Sequence, residues 1–107
     1  MEWLSDRHPP MRLEAHYGDR VIPCFAERPG SIHALLAGAV LRSGHGEGLA
    51  CDGRRFTWKE VCDLSGRIAA GLARLGVGPG DRVALLVGNR TEVGLSIFGA
   101  GWVGAIS

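Results

Sequence analysis

The chain has 107 residues, 46% of them hydrophobic and 21% charged, and these proportions indicate a globular protein rather than a disordered one. Its formal charge of +1, without a run of Lys or Arg, gives no electrostatic sign of nucleic-acid binding. Three widely separated cysteines, and an amino terminus without a signal-peptide pattern, favour free thiols and a cytoplasmic location.

The first 30 residues are the least regular part of the sequence. They show no clean hydrophobic period, and they contain Pro9, Pro10, Pro23 and Pro29. Because proline lacks a backbone donor and interrupts regular elements, we predict an extended lead-in over residues 1–30. The folded domain is predicted over residues 31–107.

Two local patterns follow this lead-in. Ser31 is a suitable N-cap for a helix whose apolar residues recur at helical spacing and which ends before Gly44. Further on, Asp52 and Gly53 lie between two short runs of strand-forming residues, the strongest short-range signal of a two-residue hairpin turn. The sequence therefore predicts a helix followed by a short β-hairpin.

The next helix has clear signals at both ends. Thr57 and Glu60 have the spacing of a capping box, in which each side chain accepts a hydrogen bond from the other residue's backbone amide. Gly76 stands where a left-handed residue usually ends a helix. The predicted apolar face consists of Trp58, Val61, Cys62, Ser65, Ile68, Ala69, Leu72 and Leu75.

A strand and a third helix complete the predicted elements. Residues 83–87 are apolar on both faces, which is typical of a strand buried between helices in a parallel sheet. Thr91 or Asn89 can cap a helix over residues 92–104. A parallel sheet needs another strand after this helix, and the sequence stops at Ser107, so we expect a truncated domain.

Alternating glycines between residues 76 and 80 raise the question of a phosphate-binding loop. Such a loop follows a strand and opens a helix, whereas this one follows a helix and leads into a strand. Pro79 has no amide hydrogen to donate, and Asp81 would repel a phosphate. We predict instead a bend with Pro79 and Gly80 at the centre of a type II turn.

No other pattern assembles a site. Four histidines are spread along the chain: His8, His16, His33 and His45. Their spacing to one another and to the cysteines does not match that of metal ligands. Cys62 is predicted to be a small core residue, Cys51 lacks any sign of activation, and Arg90 is predicted to be solvated or ion-paired. We therefore predict no catalytic, cofactor-binding or metal-binding residues in the chain.

Three motifs nevertheless resemble those of one enzyme family. The FTWKEV segment at residues 56–61 is similar to the first core motif, L-T-Y-x-E-L, of the adenylate-forming (AMP-binding) superfamily. Residues 75–86 are similar to the family's helix-to-strand passage, and residues 99–106 resemble part of its second core motif. The lead-in segments 17–20 and 25–29 resemble those of bacterial fatty-acid and other acyl-CoA ligases.

This resemblance implies an α/β fold, namely a partial N-terminal subdomain with a short β-hairpin, two or three helices and one buried parallel-type strand. It implies a parent enzyme that converts a small carboxylic acid and ATP to an acyl-adenylate and then to a CoA thioester, with ATP, Mg and CoA as cofactors. The family's ATP-binding motifs and catalytic lysine belong to later sequence. The chain is therefore expected to be an inactive scaffold whose partner is the rest of the parent ligase.

Two readings of other classes remain open at this stage. The chain could be a non-enzymatic interaction module that self-associates through the apolar helix 92–104 and the unpaired edge of the strand at residues 83–87. It could also bind a membrane surface through the uncharged residues 93–106. That run is shorter than the ~18 residues of a membrane span, so we predict no stable membrane insertion.

Overall fold

The computed structural model describes residues 9–107, which form two β-hairpins and three helices. The elements are β1 (Met11–His16), β2 (Arg20–Phe25), α1 (Ile32–Ser43), β3 (Glu47–Cys51), β4 (Arg54–Thr57), α2 (Trp58–Arg74) and α3 (Thr91–Trp102). The predicted mixed α/β class, with a short hairpin and three helices, is confirmed.

The described part of the lead-in is extended, but its strands are paired, which was not predicted from the sequence. β1 and β2 pair as an antiparallel hairpin in which Met11 lies opposite Phe25 and His16 lies opposite Arg20. Residues 17–19 form its turn, in which Tyr17 and Gly18 have φ of 56° and 82°. Proline is tolerated in a two-stranded hairpin because every strand is an edge. Residues 1–8 of the predicted lead-in lie outside the described residues.

The second hairpin and the start of α1 form as predicted. Asp52 and Gly53 have φ of 52° and 76°, the two left-handed residues that a type I′ turn requires. The register shifts between the Glu47–Thr57 and Leu49–Phe56 pairs, so a bulge interrupts the pairing of β3 with β4. Ser31 caps α1, since its hydroxyl accepts a hydrogen bond of 3.0 Å from the Ala34 amide.

Both predicted ends of α2 are confirmed. The Thr57 hydroxyl accepts from the Glu60 amide at 3.1 Å, and the Glu60 carboxylate accepts from the Thr57 amide at 2.8 Å. At the other end, Gly76 has φ of 89°. Its amide donates to the Ala73 carbonyl at 3.0 Å, and the Val77 amide donates to the Leu72 carbonyl at 3.1 Å, which is a Schellman motif.

The predicted cap of α3 is wrong. The N-cap residue is Arg90, and no side chain accepts a hydrogen bond at this cap. Thr91 is already the first helical residue and is only 4% exposed. Its hydroxyl donates to the Glu92 carboxylate at 3.2 Å instead of capping the helix. Burial of the threonine against the neighbouring elements therefore overrides its capping preference.

The three helices enclose the core. Leu36 of α1, Val61 of α2 and Leu95 of α3 are buried at its centre. Partly buried residues packed around them are Leu49, Phe56, Trp58, Cys62, Leu64, Ile68 and Phe98. The apolar face predicted for α2 thus points toward α1 and α3, except that Leu75 lies past the last helical residue and is 81% exposed. The β1–β2 hairpin, by contrast, contacts no other helix or strand of the described chain.

The predicted buried strand at residues 83–87 does not form a ladder. The only bridge there is parallel and joins Arg82 to Ile106, through the Val83 amide and the Ile106 carbonyl at 2.8 Å. Leu86 is fully exposed. A parallel strand is stabilised by neighbours along its whole length, and within the described residues only position 106 provides one. The parallel direction of the pairing agrees with the prediction; the burial does not.

Candidate functional site

The glycine-rich segment after α2 uses its backbone amides internally. The Asp81 amide donates to the Gly78 carbonyl at 3.1 Å, and Gly80 has φ of 81°, as expected for the predicted type II turn. The Asp81 carboxylate accepts from the Gly78 amide at 2.8 Å. A carboxylate of the chain therefore occupies the place where an anion would bind, and it would repel a phosphate there.

This segment instead connects the ends of α2 and α3. The Gly80 amide donates to the Gly104 carbonyl at 2.9 Å, and the Ile106 amide donates to the Asp81 carbonyl at 2.7 Å. Gly104 also lies against Pro79, because a Cβ at position 104 would stand 3.2 Å from the Pro79 Cα. The turn thereby fixes where the chain leaves α3 and gives residues 104–106 a parallel neighbour.

The junction between residue 87 and α3 forms a shallow cleft of about 230 Å³. It is lined by Cys51, Asp52, Arg54, Arg90, Thr91 and Glu92. The Glu92 carboxylate lies 3.8 Å from Arg54 and 3.8 Å from Arg90, so Arg90 is ion-paired as predicted. A hydrogen bond from its own backbone amide, with one from Thr91, lowers the pKa of Glu92. The cleft is therefore charge-balanced, and an anionic ligand would face a carboxylate.

The cysteines and histidines near the helices do not form a catalytic group. Cys62 is half-buried against the core, and burial raises the pKa of its thiol, which disfavours the reactive thiolate. The sulfur of Cys51 lies 4.0 Å from the Asn89 carbonyl oxygen. The His33 ring packs on Trp102 with centroids 4.4 Å apart, as expected of a packed histidine. His45 is exposed, and His8 lies outside the described residues.

The β1–β2 hairpin carries a cluster of possible metal ligands that the spacing of these residues in the sequence did not predict. Glu14, His16 and Cys24 lie together on one face of the β1–β2 hairpin, with ligand atoms within 4.8 Å of one another. Glu14 also accepts hydrogen bonds from Arg28 and Arg12, which hold the pKa of its carboxyl well below the ordinary range. Part of this cluster is visible in the sequence, because residues 14 and 16 lie on the same face of a strand. Cys24 could not be added to them without the pairing of β1 with β2, which was not predicted.

Within residues 9–107, none of the helices combines the length and the apolar character that crossing a membrane would require. α3 has the most apolar sequence of the three helices. Its residues Leu95, Gly99 and Ala100 are buried in the protein core.

Comparison with known proteins points to one family. The sequence pattern of the family described as AMP-binding enzyme matches residues 31–107. 4-Coumarate–CoA ligase 2 of Oryza sativa subsp. japonica is 45% identical over 58 residues, which are 54% of this chain and 10% of that protein. Isonitrile lipopeptide synthase of Mycobacterium tuberculosis is 39% identical over 75 residues, which are 70% of this chain and 3% of that protein.

A solved structure agrees with these sequence relatives. The fatty acyl CoA synthetase of Mycobacterium tuberculosis superposes with a TM-score of 0.66 at 31% identity, over 70% of this chain and 15% of that one. The chain therefore spans at most about a sixth of the length of these relatives. With most of its residues, including all three helices, inside the matched segment, the chain belongs to the AMP-binding enzyme family.

Proposed function

We propose that this chain is the N-terminal scaffold segment of an ATP-dependent, AMP-forming acid–thiol ligase. In the parent reaction, a carboxylate attacks ATP to give an acyl-adenylate and pyrophosphate, and the thiol of CoA then displaces AMP to give a thioester. The family match over residues 31–107 carries this proposal. Two of the relatives are themselves described as CoA ligases or synthetases.

The glycine-rich segment does not fit a phosphate of ATP, so the proposal assigns it no chemical step. In the glycine-rich segment, the amides of Gly76, Val77, Gly78, Gly80 and Asp81 all donate to acceptors of the chain itself. Phosphate loops require free amides and a helix N-terminus pointing at the anion. ATP, Mg and CoA would therefore be bound by other parts of the parent enzyme.

The scaffold role rests on the parallel bridge between Arg82 and Ile106. This bridge has the direction and crossover helix of a parallel α/β sheet, in which α3 connects two neighbouring strands. The exposed apolar side chains beside it are Leu86, Val87 and Ile106. We propose that further strands and helices of the parent ligase cover these side chains and extend the pairing along residues 82–87.

The acyl substrate is proposed from the resemblance to bacterial enzymes: a fatty acid or another small carboxylic acid, activated in the cytoplasm. One relative is described as a ligase for coumarate, another as a lipopeptide synthase, and the solved structure as a fatty acyl CoA synthetase. Because these proteins share this segment while their names point to different substrates, we infer that residues 31–107 do not select the acid.

The interaction-module alternative is not favoured. It relied on an exposed apolar helix over residues 92–104 and on the open edge of residues 83–87. The helix part is not supported, because its apolar residues Leu95 and Ala100 are buried inside the chain, and the exposed edge is equally expected of a ligase segment. The side of α3 that faces α2 is occupied by the chain itself, since a Cβ on Gly99 would stand 2.6 Å from Ile68 Cγ2.

The test is carboxylate-dependent ATP–pyrophosphate exchange, measured on the 107-residue chain and on the parent polypeptide that contains it. Aromatic, short-chain and long-chain acids are offered separately. We expect exchange only with the parent, and with one class of acid. Acid-dependent exchange by the 107-residue chain would contradict the scaffold role, and its absence from a folded parent with every acid would contradict the ligase assignment.

A further inference from the structure

The β1–β2 hairpin carries three metal-ligating side chains on one face. Glu14 and His16 are two residues apart on β1 and so point to the same side of the strand. Cys24 on β2 is paired with Arg12, which precedes Glu14 by two residues on that same face. The hairpin register therefore brings together a carboxylate, an imidazole and a thiol that are separated by up to ten residues in sequence.

Two distances within this cluster match edges of a metal coordination tetrahedron, and the third lies within 4.8 Å. His16 Nε2 lies 3.2 Å from Glu14 Oε2 and 3.7 Å from Cys24 Sγ. Around Zn²⁺ with its usual bond lengths, tetrahedral edges are about 3.3 Å for oxygen to nitrogen and about 3.6 Å for nitrogen to sulfur. We propose that Glu14, His16 and Cys24 bind a borderline-soft transition-metal ion of the Zn²⁺ class, with water as the fourth ligand.

The surrounding arginines define how the ion would be accommodated. Arg28 Nη2 donates to Glu14 Oε2 at 2.7 Å, so it competes with a metal for that oxygen. Arg12 Nε donates to Glu14 Oε1 at 2.9 Å, and this bond can persist when Oε2 binds the ion. Carboxylate ligands of metals are commonly held by such an outer hydrogen bond. Cys24 would bind as the thiolate, and its proton would pass to the solvent.

A bound metal ion would also stabilise the hairpin. A two-stranded hairpin on its own is marginally stable in water, and β1 and β2 contact no other helix or strand of the described chain. An ion that joins Glu14 and His16 of one strand to Cys24 of the other would hold the register directly. The role we assign to the metal is therefore structural and independent of the ligase reaction.

The test is titration of the reduced 107-residue chain with Co²⁺, followed by displacement with Zn²⁺. We expect a thiolate-to-cobalt charge-transfer band at one equivalent, which Zn²⁺ abolishes. Cys24→Ser should abolish the band, and His16→Gln should weaken binding at least tenfold. Arg28→Gln should tighten binding several-fold, because it removes the group that competes for Glu14 Oε2.

The matched control is Cys51→Ser, which removes a half-buried thiol from the other hairpin and should leave the band and the affinity unchanged. Far-ultraviolet circular dichroism reports whether each variant is folded. The proposal would be overturned by the absence of a charge-transfer band in the folded wild-type chain. It would equally be overturned by a band that survives Cys24→Ser, since the thiolate ligand would then lie elsewhere.

Discussion

Gly99 of α3 lies directly against Ile68 of α2: a Cβ placed on Gly99 would stand 2.6 Å from Ile68 Cγ2 and 3.2 Å from the Ser65 carbonyl oxygen. No side chain fits there unless the helices separate, because protein interiors are packed too densely to absorb such an overlap. The missing side chain at position 99 therefore sets the distance between α2 and α3. That distance in turn places the start of residues 104–106 beside the turn at residues 78–81.

Gly99→Ala should destabilise the chain, since the added methyl group has to push Ile68 away or tilt α3. Overpacking of this kind lowers the free energy of unfolding by about 1–3 kcal/mol. Gly71→Ala is the control, because a Cβ at position 71 of α2 meets nothing within 4 Å. Alanine there should raise stability by about 0.5–1 kcal/mol. Urea unfolding measures the free energy of unfolding of both variants. Equal changes from the wild-type value would contradict the close contact between Gly99 and Ile68.

Gly80→Ala should weaken the turn that joins α2 to the parallel bridge. Gly80 has φ of 81°, a conformation that costs a residue with a Cβ about 1–2 kcal/mol. Gly78→Ala is the matched control in the same turn, because its φ is not positive and a Cβ there would meet only the Asp81 carboxylate at 4.0 Å. If thermal unfolding gave both variants the same midpoint, the type II turn would be the wrong description.

Thr57→Ala should shorten or fray the start of α2, because the Glu60 amide loses its acceptor. Removal of such a cap costs about 1 kcal/mol. Thr57→Ser keeps the hydroxyl and should retain most of the stability. In a double-mutant cycle with Glu60→Ala, the two losses should be less than additive, since each residue caps the other. Strict additivity in urea unfolding would show that the reciprocal pair is not formed.

Stability should decline in acid partly through Glu92. Because its folded-state pKa is lowered, the carboxylate contributes stability above its ordinary pKa of about 4.3 and loses it as pH falls through the lower folded-state value. Glu92→Gln should therefore be less stable than the wild type at pH 6, and the gap should narrow below pH ~4. Urea unfolding midpoints of the two proteins at several pH values measure this difference in stability. A difference that widens in acid would contradict a lowered pKa of Glu92.

Features that depend on neighbouring residues could be predicted from the sequence. The Thr57–Glu60 capping box, the glycine that ends α2 and the turn at Asp52 and Gly53 each depend on hydrogen bonds or dihedral angles within a few residues. The turn at Pro79 and Gly80 is equally local, because a type II turn depends on the dihedral angles of its two central residues.

Features that depend on residues distant in the chain could not be predicted from the sequence. Thr91 has the chemistry of a helix cap, yet its burial in the folded chain moves the cap to Arg90. Residues 83–87 have the composition of a central strand, but their side chains are only covered where a neighbour is present. The cluster of Glu14, His16 and Cys24 depends on a hairpin register whose three-residue turn, at residues 17–19, lacks the strong Asn-Gly or Asp-Gly signal.

A chimera tests whether residues 31–107 supply structure and not chemistry. These residues replace the homologous segment of rice 4-coumarate–CoA ligase 2, with which the chain shares 45% identity over 58 residues. CoA-thioester formation is then measured with coumarate and with fatty acids. We expect an active chimera that prefers the same acids as the recipient enzyme. A folded chimera that is inactive, or that adopts a different preferred acid, would contradict it.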